Sequence, residues 1–575
     1  VQRVLPGPGS IRRVRYGLAD AAVILGALVL LAVIARVGSE SFVSFAPPQV
    51  VPSVSLDPRQ LPGYAARSTL RMFIALAASF LFTFVYAYAA ARNRYAERVL
   101  IPLLDILQSV PVLGFLSITI TGFIALFHGS LLGLEAAAIF AIFTSQVWNM
   151  TFSFYQSLRT LPQDLVEAAA AYGLSPWERF IRLEMPAGAI GLIWNAMMSF
   201  GGGWFFLAAS EAITVLNHNF TLPGIGSYVA AAVTARDMPA LGWAVLTMAI
   251  TIVLVDQLFW RPLVAWSDKF RLEQSASAES PQSWIYDLLR RSRVQRGIRR
   301  LTQPAGDVLS RSLATLSTVR PRVAGRSESV LADRLFDAVV LLAVVGLIVW
   351  KGRDILPAVG LAEVCHVLLL GLATFGRVVV LLFFATLVWT PIGVAIGLSP
   401  TLTRRAQPIA MFLASFPANF IFPFATLAFI TLRIPINFGC IVLMALGAQW
   451  YILFNTIAGA ASIPTELREM AADVGLHGWQ RWRRLIIPAI FSSWVTGGIT
   501  ASGGAWNASI VSEVVSWGAT TLTATGLGAY IAEATTRGDW PRITLGVSVM
   551  SLYVVGINRV FWRRLYKLAE TRYHL

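Results

Sequence analysis

Long apolar runs alternate along the chain with short polar stretches, and the runs set the predicted elements. Leu18 to Val37 is apolar and about long enough to cross a bilayer, which takes ~20 helical residues. Runs of the same kind follow at about 69–91, 101–127, 131–158, 187–211 and 240–263. A second series falls at about 335–350, 367–397, 408–432, 436–460, 488–513 and 542–563. The pattern predicts about twelve membrane-spanning helices. Ser109-Val110-Pro111 lies inside the third run, where the proline should kink or break the helix. Between the fifth and sixth runs, Asn217 to Asp237 reads as a loop with a short helix near its LPGIGSY segment.

The two series are copies. LPQDLVEAAAAYGLSPWERFIRLEMP (Leu161 to Pro186) matches IPTELREMAADVGLHGWQRWRRLIIP (Ile463 to Pro488) at a constant offset of 302, from Glu167 to Glu469 and from Pro186 to Pro488. A fixed step without gaps marks a repeated unit. The same step carries Trp204 to Trp506, Glu211 to Glu513 and Gly224 to Gly526. Upstream the step is 306, from Arg71 to Arg377 and from Pro111 to Pro417, so the second copy has lost four residues between Pro111 and Trp148. Six runs per copy give both copies one orientation, related by an axis along the membrane normal. The predicted segments are a basic cytoplasmic N-terminus at 1–17, a first repeat at 18–267, a basic cytoplasmic linker at 268–332 and a second repeat at 333–575.

Within each matched stretch the residues spell helix, tight turn, helix, then proline. Gln163 to Tyr172 is rich in Ala, Leu and Glu, which favour helix. Gly173 follows where a helix end needs positive φ, and Ser175-Pro176-Trp177-Glu178 reads as a capping box. The second copy keeps the glycine as Gly475 but replaces the cap with His477-Gly478-Trp479-Gln480.

Composition places the chain in a membrane. It has 575 residues, 56% hydrophobic and 13% charged, about half the charged share of a soluble protein. The formal charge of +16 is carried almost wholly by Arg lying between apolar runs. That is the positive-inside pattern and argues against nucleic acid as a partner. With the N-terminus inside, Arg92–Arg98, both matched stretches and the C-terminus fall on the cytoplasmic side. The linker run Arg290 to Arg300 would lie against anionic lipid. Cys365 and Cys440 form no metal cluster or disulfide framework, and none of the three lysines (Lys269, Lys351, Lys567) follows Gly, so no ATP-binding loop is present.

The pattern EAA, then Gly, then hydrophobic-Pro resembles the EAA loop of ABC importer permeases. GGGWFFLAASEA (Gly201 to Ala212) and GGAWNASIVSEV (Gly503 to Val514) resemble the nitrate, sulfonate and taurine importer group, as does Ser/Thr-x-x-Arg at Ser68–Arg71 and Thr374–Arg377. The resemblance covers nearly the whole chain outside the linker. It implies an all-α membrane protein of two parallel six-helix repeats in a bacterial or archaeal inner membrane, each with a cytoplasmic coupling hairpin. It implies two ABC ATPase chains inside, an extracytoplasmic binding protein, and no cofactor on this chain, with ATP and Mg held by the ATPases. The coupling residues are then Glu167, Ala168, Ala169, Gly173 and Pro186, with Glu469, Ala471, Gly475 and Pro488 in the second copy. The transport class implied is a small anion, and the chain itself is no enzyme. An ion-coupled secondary transporter of six-plus-six repeats is the alternative; the paired hairpins argue against it.

Ionisable residues inside the membrane mark partners or function. Arg71 and Arg377, at the start of the second runs, are expected at the same depth as Glu211 and Glu513, at the end of the fifth. Each half should carry an Arg–Glu pair that is either a structural tie or part of an outer gate, where the guanidinium offers a second edge to an oxyanion. Trp204, Trp506, Asn195 and Asn507 are further candidates for the path, with Asn149, Ser199, Gln449 and Asn455. Asn195 falls opposite Gly497 and Asn507 opposite Phe205, so the path is expected to be asymmetric.

Overall fold

The computed structural model describes residues 18–40, 54–109, 112, 116–127, 130–215, 218–270, 283–292 and 355–572, with isolated positions between 338 and 353. The basic N-terminus, most of the linker and most of the run at 335–350 lie outside the described residues. In the first half the helices are α1 (Leu18–Glu40), α2 (Leu61–Arg92), α3 (Arg94–Ser109), α4 (Leu116–Leu126), α5 (Leu132–Arg159), α6 (Gln163–Ala171), α7 (Pro176–Arg179) and α8 (Met185–Glu211). A hairpin of β1 (Ala212–Val215) and β2 (His218–Thr221) follows, then α9 (Ile225–Ala235), α10 (Met238–Val255), α11 (Arg261–Ser267) and the linker helix α12 (Trp284–Arg291).

The second half repeats this order. Its elements are α13 (Leu361–Gly397), α14 (Pro400–Ser415), α15 (Phe422–Leu432), α16 (Ile436–Ala461), α17 (Thr465–Asp473), α18 (Gly478–Arg481) and α19 (Ile487–Ser512). Then come β3 (Val514–Trp517), β4 (Thr520–Thr523), α20 (Leu527–Arg537), α21 (Trp540–Ile557) and α22 (Arg563–Arg572). Among the described residues seven helical stretches are long and apolar enough to cross a membrane: 58–92, 176–211, 238–270, 361–397, 436–461, 478–512 and 540–569. Architecture and composition make this an all-α, multi-pass membrane protein whose only described strands are two small hairpins.

The chain divides into two compact units. One comprises residues 1–40, 160–193 and 254–326; the other comprises 41–159, 194–253 and 327–575. In the first unit α12 is capped by Ser283, whose Oγ accepts from the Tyr286 amide at 3.3 Å, and Ser292 Oγ donates to Asp20 Oδ1 on α1 at 2.8 Å. The second unit holds the large apolar core, in which α2 packs along α5, and α16 along both α13 and α19. Small residues permit these close crossings. A Cβ on Gly497 would lie 2.8 Å from the Tyr451 carbonyl oxygen, and one on Gly393 would lie 2.9 Å from Thr456.

One feature meets the sequence expectation and two differ from it. The third run is two helices in each half, the break that its proline predicts. α3 stops at Ser109 and α4 begins at Leu116, while α14 stops at Ser415 and α15 begins at Phe422 after a single turn at Ala418–Phe420. Pro417 lacks an N–H to continue the ladder, and neither piece alone spans a bilayer. Next, the expected loop after the fifth run begins as a β-hairpin in each half, Ala212↔Thr221 to Val215↔His218 and Val514↔Thr523 to Trp517↔Thr520. β-Branched residues favour these strands, and Gly518, at φ +59°, supplies the left-handed turn position of the second. Finally, the matched stretches do not end at their prolines. A five-residue π-turn, Phe180–Glu184 or Trp482–Ile486, carries each helix past Pro186 or Pro488 into the span. The wide turn makes room for a ring that an α-helical ladder would exclude.

Candidate functional site

The polar chemistry of the second unit gathers where α2 meets the end of α8, and again where α13 meets the end of α19. Ser68 and Arg71 lie one turn apart on α2. Ser68 Oγ donates to Glu211 Oε1 at 2.6 Å and accepts the Ile225 amide at 3.1 Å; Arg71 Nη1 donates to Glu211 Oε1 at 2.6 Å. Glu211 Oε2 accepts the Gly226 amide at 2.7 Å, so one carboxylate caps α9 and ties it to α2. The second half repeats the arrangement. Thr374 Oγ1 and Arg377 Nη1 each donate to Glu513 Oε1 at 2.8 Å, the Leu527 amide donates to Thr374 Oγ1 at 2.9 Å, and the Ala529 amide donates to Glu513 Oε2 at 3.0 Å.

The expected Arg–Glu pairs are therefore assembled, but the first has a member the sequence reading missed. Arg71 Nε donates to Glu135 Oε2 at 2.6 Å and Nη2 to Glu135 Oε1 at 2.7 Å, a bidentate pair. Nη2 also donates to the Pro223 carbonyl at 3.1 Å. Glu135 maps by the 302 step onto Asn437, which receives Arg377 Nε on its carbonyl at 3.2 Å and Nη2 on Oδ1 at 2.8 Å. One guanidinium thus meets two carboxylates in the first half and one in the second. The edge that the sequence reading reserves for an oxyanion is held by Glu135 in one half and by Asn437 in the other, and Arg71 is only 3% exposed. The geometry is that of a structural tie. Glu135 could have been found from sequence as an acid buried in the apolar run at 131–158.

Both clusters rely on glycine for room. A Cβ on Gly224 would strike the Glu211 carboxyl, and one on Gly526 the Glu513 carboxyl. Both residues have extended backbone, φ −176° and −171°, so the demand is steric. Gly224→Ala and Gly526→Ala are each expected to cost about 1–3 kcal/mol by overpacking. Thermal unfolding of the purified chain reads the loss, and parental stability in both variants would refute the clamp.

The remaining path candidates separate. Trp204 and Trp506 are each 1% exposed and pack in the core, Trp204 edge-on to Phe200 and Trp506 stacked on Tyr553. Asn195 Nδ2 donates to Ser153 Oγ at 3.0 Å, a helix–helix bond. Gln449 accepts from Trp389 Nε1 at 2.9 Å, and Asn149 accepts from Gln108 Nε2 at 3.0 Å. Ser199 Oγ is buried without a hydrogen-bond partner among the described residues. Asn507 alone of these borders a cavity, of about 110 Å³, walled by α8, the α14–α15 break, α16 and α19. Its Oδ1 accepts the Val112 amide at 2.9 Å, and its Nδ2 donates to the Gly503 carbonyl at 3.2 Å. In the repeat-related place Asn419 Nδ2 donates to the Phe205 carbonyl at 3.2 Å. The break in each half thus contacts the fifth span of the other.

The hairpins keep their predicted local geometry. Gly173 has φ +66° and Gly475 φ +73°. In each, the third residue past the helix donates back to the last turn: Leu174 to the Ala169 carbonyl at 3.1 Å, Leu476 to that of Ala471 at 2.8 Å. Glu167 and Ala168 are exposed and Ala169 is buried; Glu469 is exposed and Ala471 is buried. Beside the turns Tyr172 is 84% and Val474 71% exposed. The first hairpin carries a capping box, with the Glu178 amide donating to Ser175 Oγ at 3.2 Å, whereas His477 makes no side-chain cap. Charge differs too: four acids against two arginines over 161–186, three acids against four arginines over 463–488. Ser175→Ala should cost about 0.5–2 kcal/mol locally, and His477→Ala, which loses only the exposed contact of Nδ1 with the Gly475 carbonyl at 2.8 Å, should cost less. Amide hydrogen exchange across each hairpin tests this, and equal acceleration in both variants would contradict it.

The family of binding-protein-dependent transport system inner membrane components matches this chain twice, at residues 69–259 and 389–573. The chain belongs to that family. The two matches take in both hairpins and most of both clusters; the second begins beyond Arg377, whose contacts nevertheless repeat those of Arg71. Among inner membrane components of this kind, the chain is 27% identical over 113 residues to a nitrate import permease protein of Leptolyngbya laminosa, covering 20% of this chain and 38% of the relative. It is 24% identical over 187 residues to a putative aliphatic sulfonates transport permease protein of Escherichia coli strain K12, covering 32% and 65%. It is 26% identical over 180 residues to a bicarbonate transport system permease protein of Synechococcus elongatus, covering 31% and 58%. Each comparison therefore spans less than two thirds of the relative's length.

Proposed function

We propose that this chain is the membrane permease of an ABC importer, with both halves of the usual pair carried on one polypeptide. Two separate ATPase chains dock on the hairpins at Glu167–Gly173 and Glu469–Gly475 from the cytoplasm, and they hold the ATP and Mg. An extracytoplasmic binding protein delivers the solute to the opposite face, and both termini lie in the cytoplasm of a bacterial or archaeal cell. The observation that carries this reading is the duplicated hairpin. Each copy places an exposed Glu and an exposed apolar residue, Tyr172 or Val474, around a rigid left-handed turn. An apolar side chain held in water beside a turn supports a partner that covers it.

Closure of the ATPases would then move both hairpins, and each helix continues through its π-turn into a fifth span. A displacement at the hairpin is thereby passed to α8 or α19, the helices that border the cavity. The chain makes and breaks no covalent bond. The solute is a small anion, a reading supported by the nitrate, sulfonate and bicarbonate permeases that the chain resembles. Affinity purification of the tagged full chain from its native membrane, followed by quantitative mass spectrometry, tests the assembly. Two ATPase chains per permease are expected; a chain that transports with no ATPase attached would defeat the reading.

A further inference from the structure

The cavity in the second unit has a chemistry that the clusters lack. Among the described residues no Arg, Lys, His, Asp or Glu lines it. Trp194, Met198 and Phe205 form its wall from the first half, and Met411, Trp450 and Phe454 form much of it from the second. Three glycines open the space. A Cβ on Gly201 would lie 2.7 Å from Ser415 Oγ, one on Gly202 3.1 Å from Tyr451 Oη, and one on Gly504 3.4 Å from the Tyr451 ring. The Asn507 amide is used at both ends, by Val112 and Gly503. Two lining hydroxyls, Ser415 and Tyr451, have no protein hydrogen-bond partner among the described residues.

A bare inorganic oxyanion fits this lining poorly. It would exchange a full hydration shell for two O–H donors and no counter-charge, and burying an uncompensated charge is costly. An apolar body fits well. A cavity of ~150 Å³ lined by apolar side chains holds benzene, so the present one, about 110 Å³, suits a body of roughly four to six carbons. Thioethers and aromatic faces adapt to either an alkyl or an aromatic group.

We propose that the solute is a small organic acid, its alkyl or aromatic body held in this cavity and its carboxylate or sulfonate head accepting from the Ser415 and Tyr451 hydroxyls. The negative charge and the direction of movement rest on the importer reading; the apolar body rests on the cavity alone. Hydroxyl donors to an ionised head make short, charge-assisted hydrogen bonds, which orient the acid and admit one head group at a time.

Scintillation-proximity binding of labelled benzoate to the full chain in lipid nanodiscs tests this. Saturable binding is expected, displaced by 1-pentanesulfonate and left unchanged by equal concentrations of nitrate or bicarbonate. Ala414→Phe, which fills the cavity, should weaken binding at least ten-fold. Tyr451→Phe, which removes one hydroxyl and leaves the wall, should weaken it about three- to ten-fold and covers the case in which the larger variant does not fold. Displacement by nitrate or bicarbonate would overturn the proposal, and so would benzoate binding that both variants leave intact, since that is partition into lipid. The importer reading is scored separately by ATPase co-purification, so it survives if ATPases assemble while nitrate displaces the probe.

Discussion

Arg71→Met should destabilise the protein more than the matched change Arg377→Met. Removing one partner of a buried ion pair costs about 3–5 kcal/mol, because a charge is left buried and uncompensated. Arg71 stands between Glu135 and Glu211, so its loss leaves two facing carboxylates, whereas loss of Arg377 leaves only Glu513 beside the neutral Asn437. Thermal unfolding of the detergent-purified chain should show a larger drop for Arg71→Met. Adding Glu135→Gln to Arg71→Met removes one of the two carboxylates and should bring the loss back to that of the Arg377 variant. Equal losses in the two single variants would show that Glu135 does not share the guanidinium.

On activity, the greatest effect is expected at the hairpin turns. Gly173 and Gly475 sit at φ +66° and +73°, where a residue with a Cβ costs roughly 1–2 kcal/mol and a β-branched one more. Neither glycine has a neighbour within 4 Å of an added Cβ, so the penalty falls on the backbone turn and not on packing. Gly173→Val and Gly475→Val should each lower ATP-driven uptake in proteoliposomes at least ten-fold while the chain still inserts. Glu167→Lys with Glu469→Lys reverses both exposed charges and should dissociate the ATPases on gel filtration. Undiminished uptake in the double-lysine variant would remove these residues from coupling.

What could be read from the sequence was what depends on neighbours along the chain. The 302 step, the left-handed Gly173 and the Ser175 capping box are all local or periodic, and each keeps its expected geometry. The Arg71–Glu211 pair joins residues 140 positions apart, yet it was legible because the repeat presented it twice. Glu135 escapes the duplication test, because its counterpart is Asn437, and shows in the sequence only as a lone acid in an apolar run. The β-hairpins were hidden by their length, since four-residue strands such as Ala212–Val215 give too few alternations to separate them from the apolar run before them. The cavity was out of reach for another reason. Its described walls come from four elements of both halves, and Ser415 and Tyr451 matter because no partner among the described residues takes up their hydroxyls, which no sequence pattern records.

At the meeting of the two halves, Val112 finds the side chain of Asn507, while Asn419 finds the backbone of Phe205. Two identical subunits could not be built this way, because one codon would set both sides of the axis. Every change at the axis of such a dimer is applied twice, and a polar side chain useful on one side is imposed on the other. Fusion makes each of these positions a separate gene locus in effect, able to mutate in single dose. The first half carries Glu135 where the second has Asn437, and Phe205 at the cavity where the second has Asn507. A chain of this kind can retune one side of its path in a single mutational step while the other side holds the helices together.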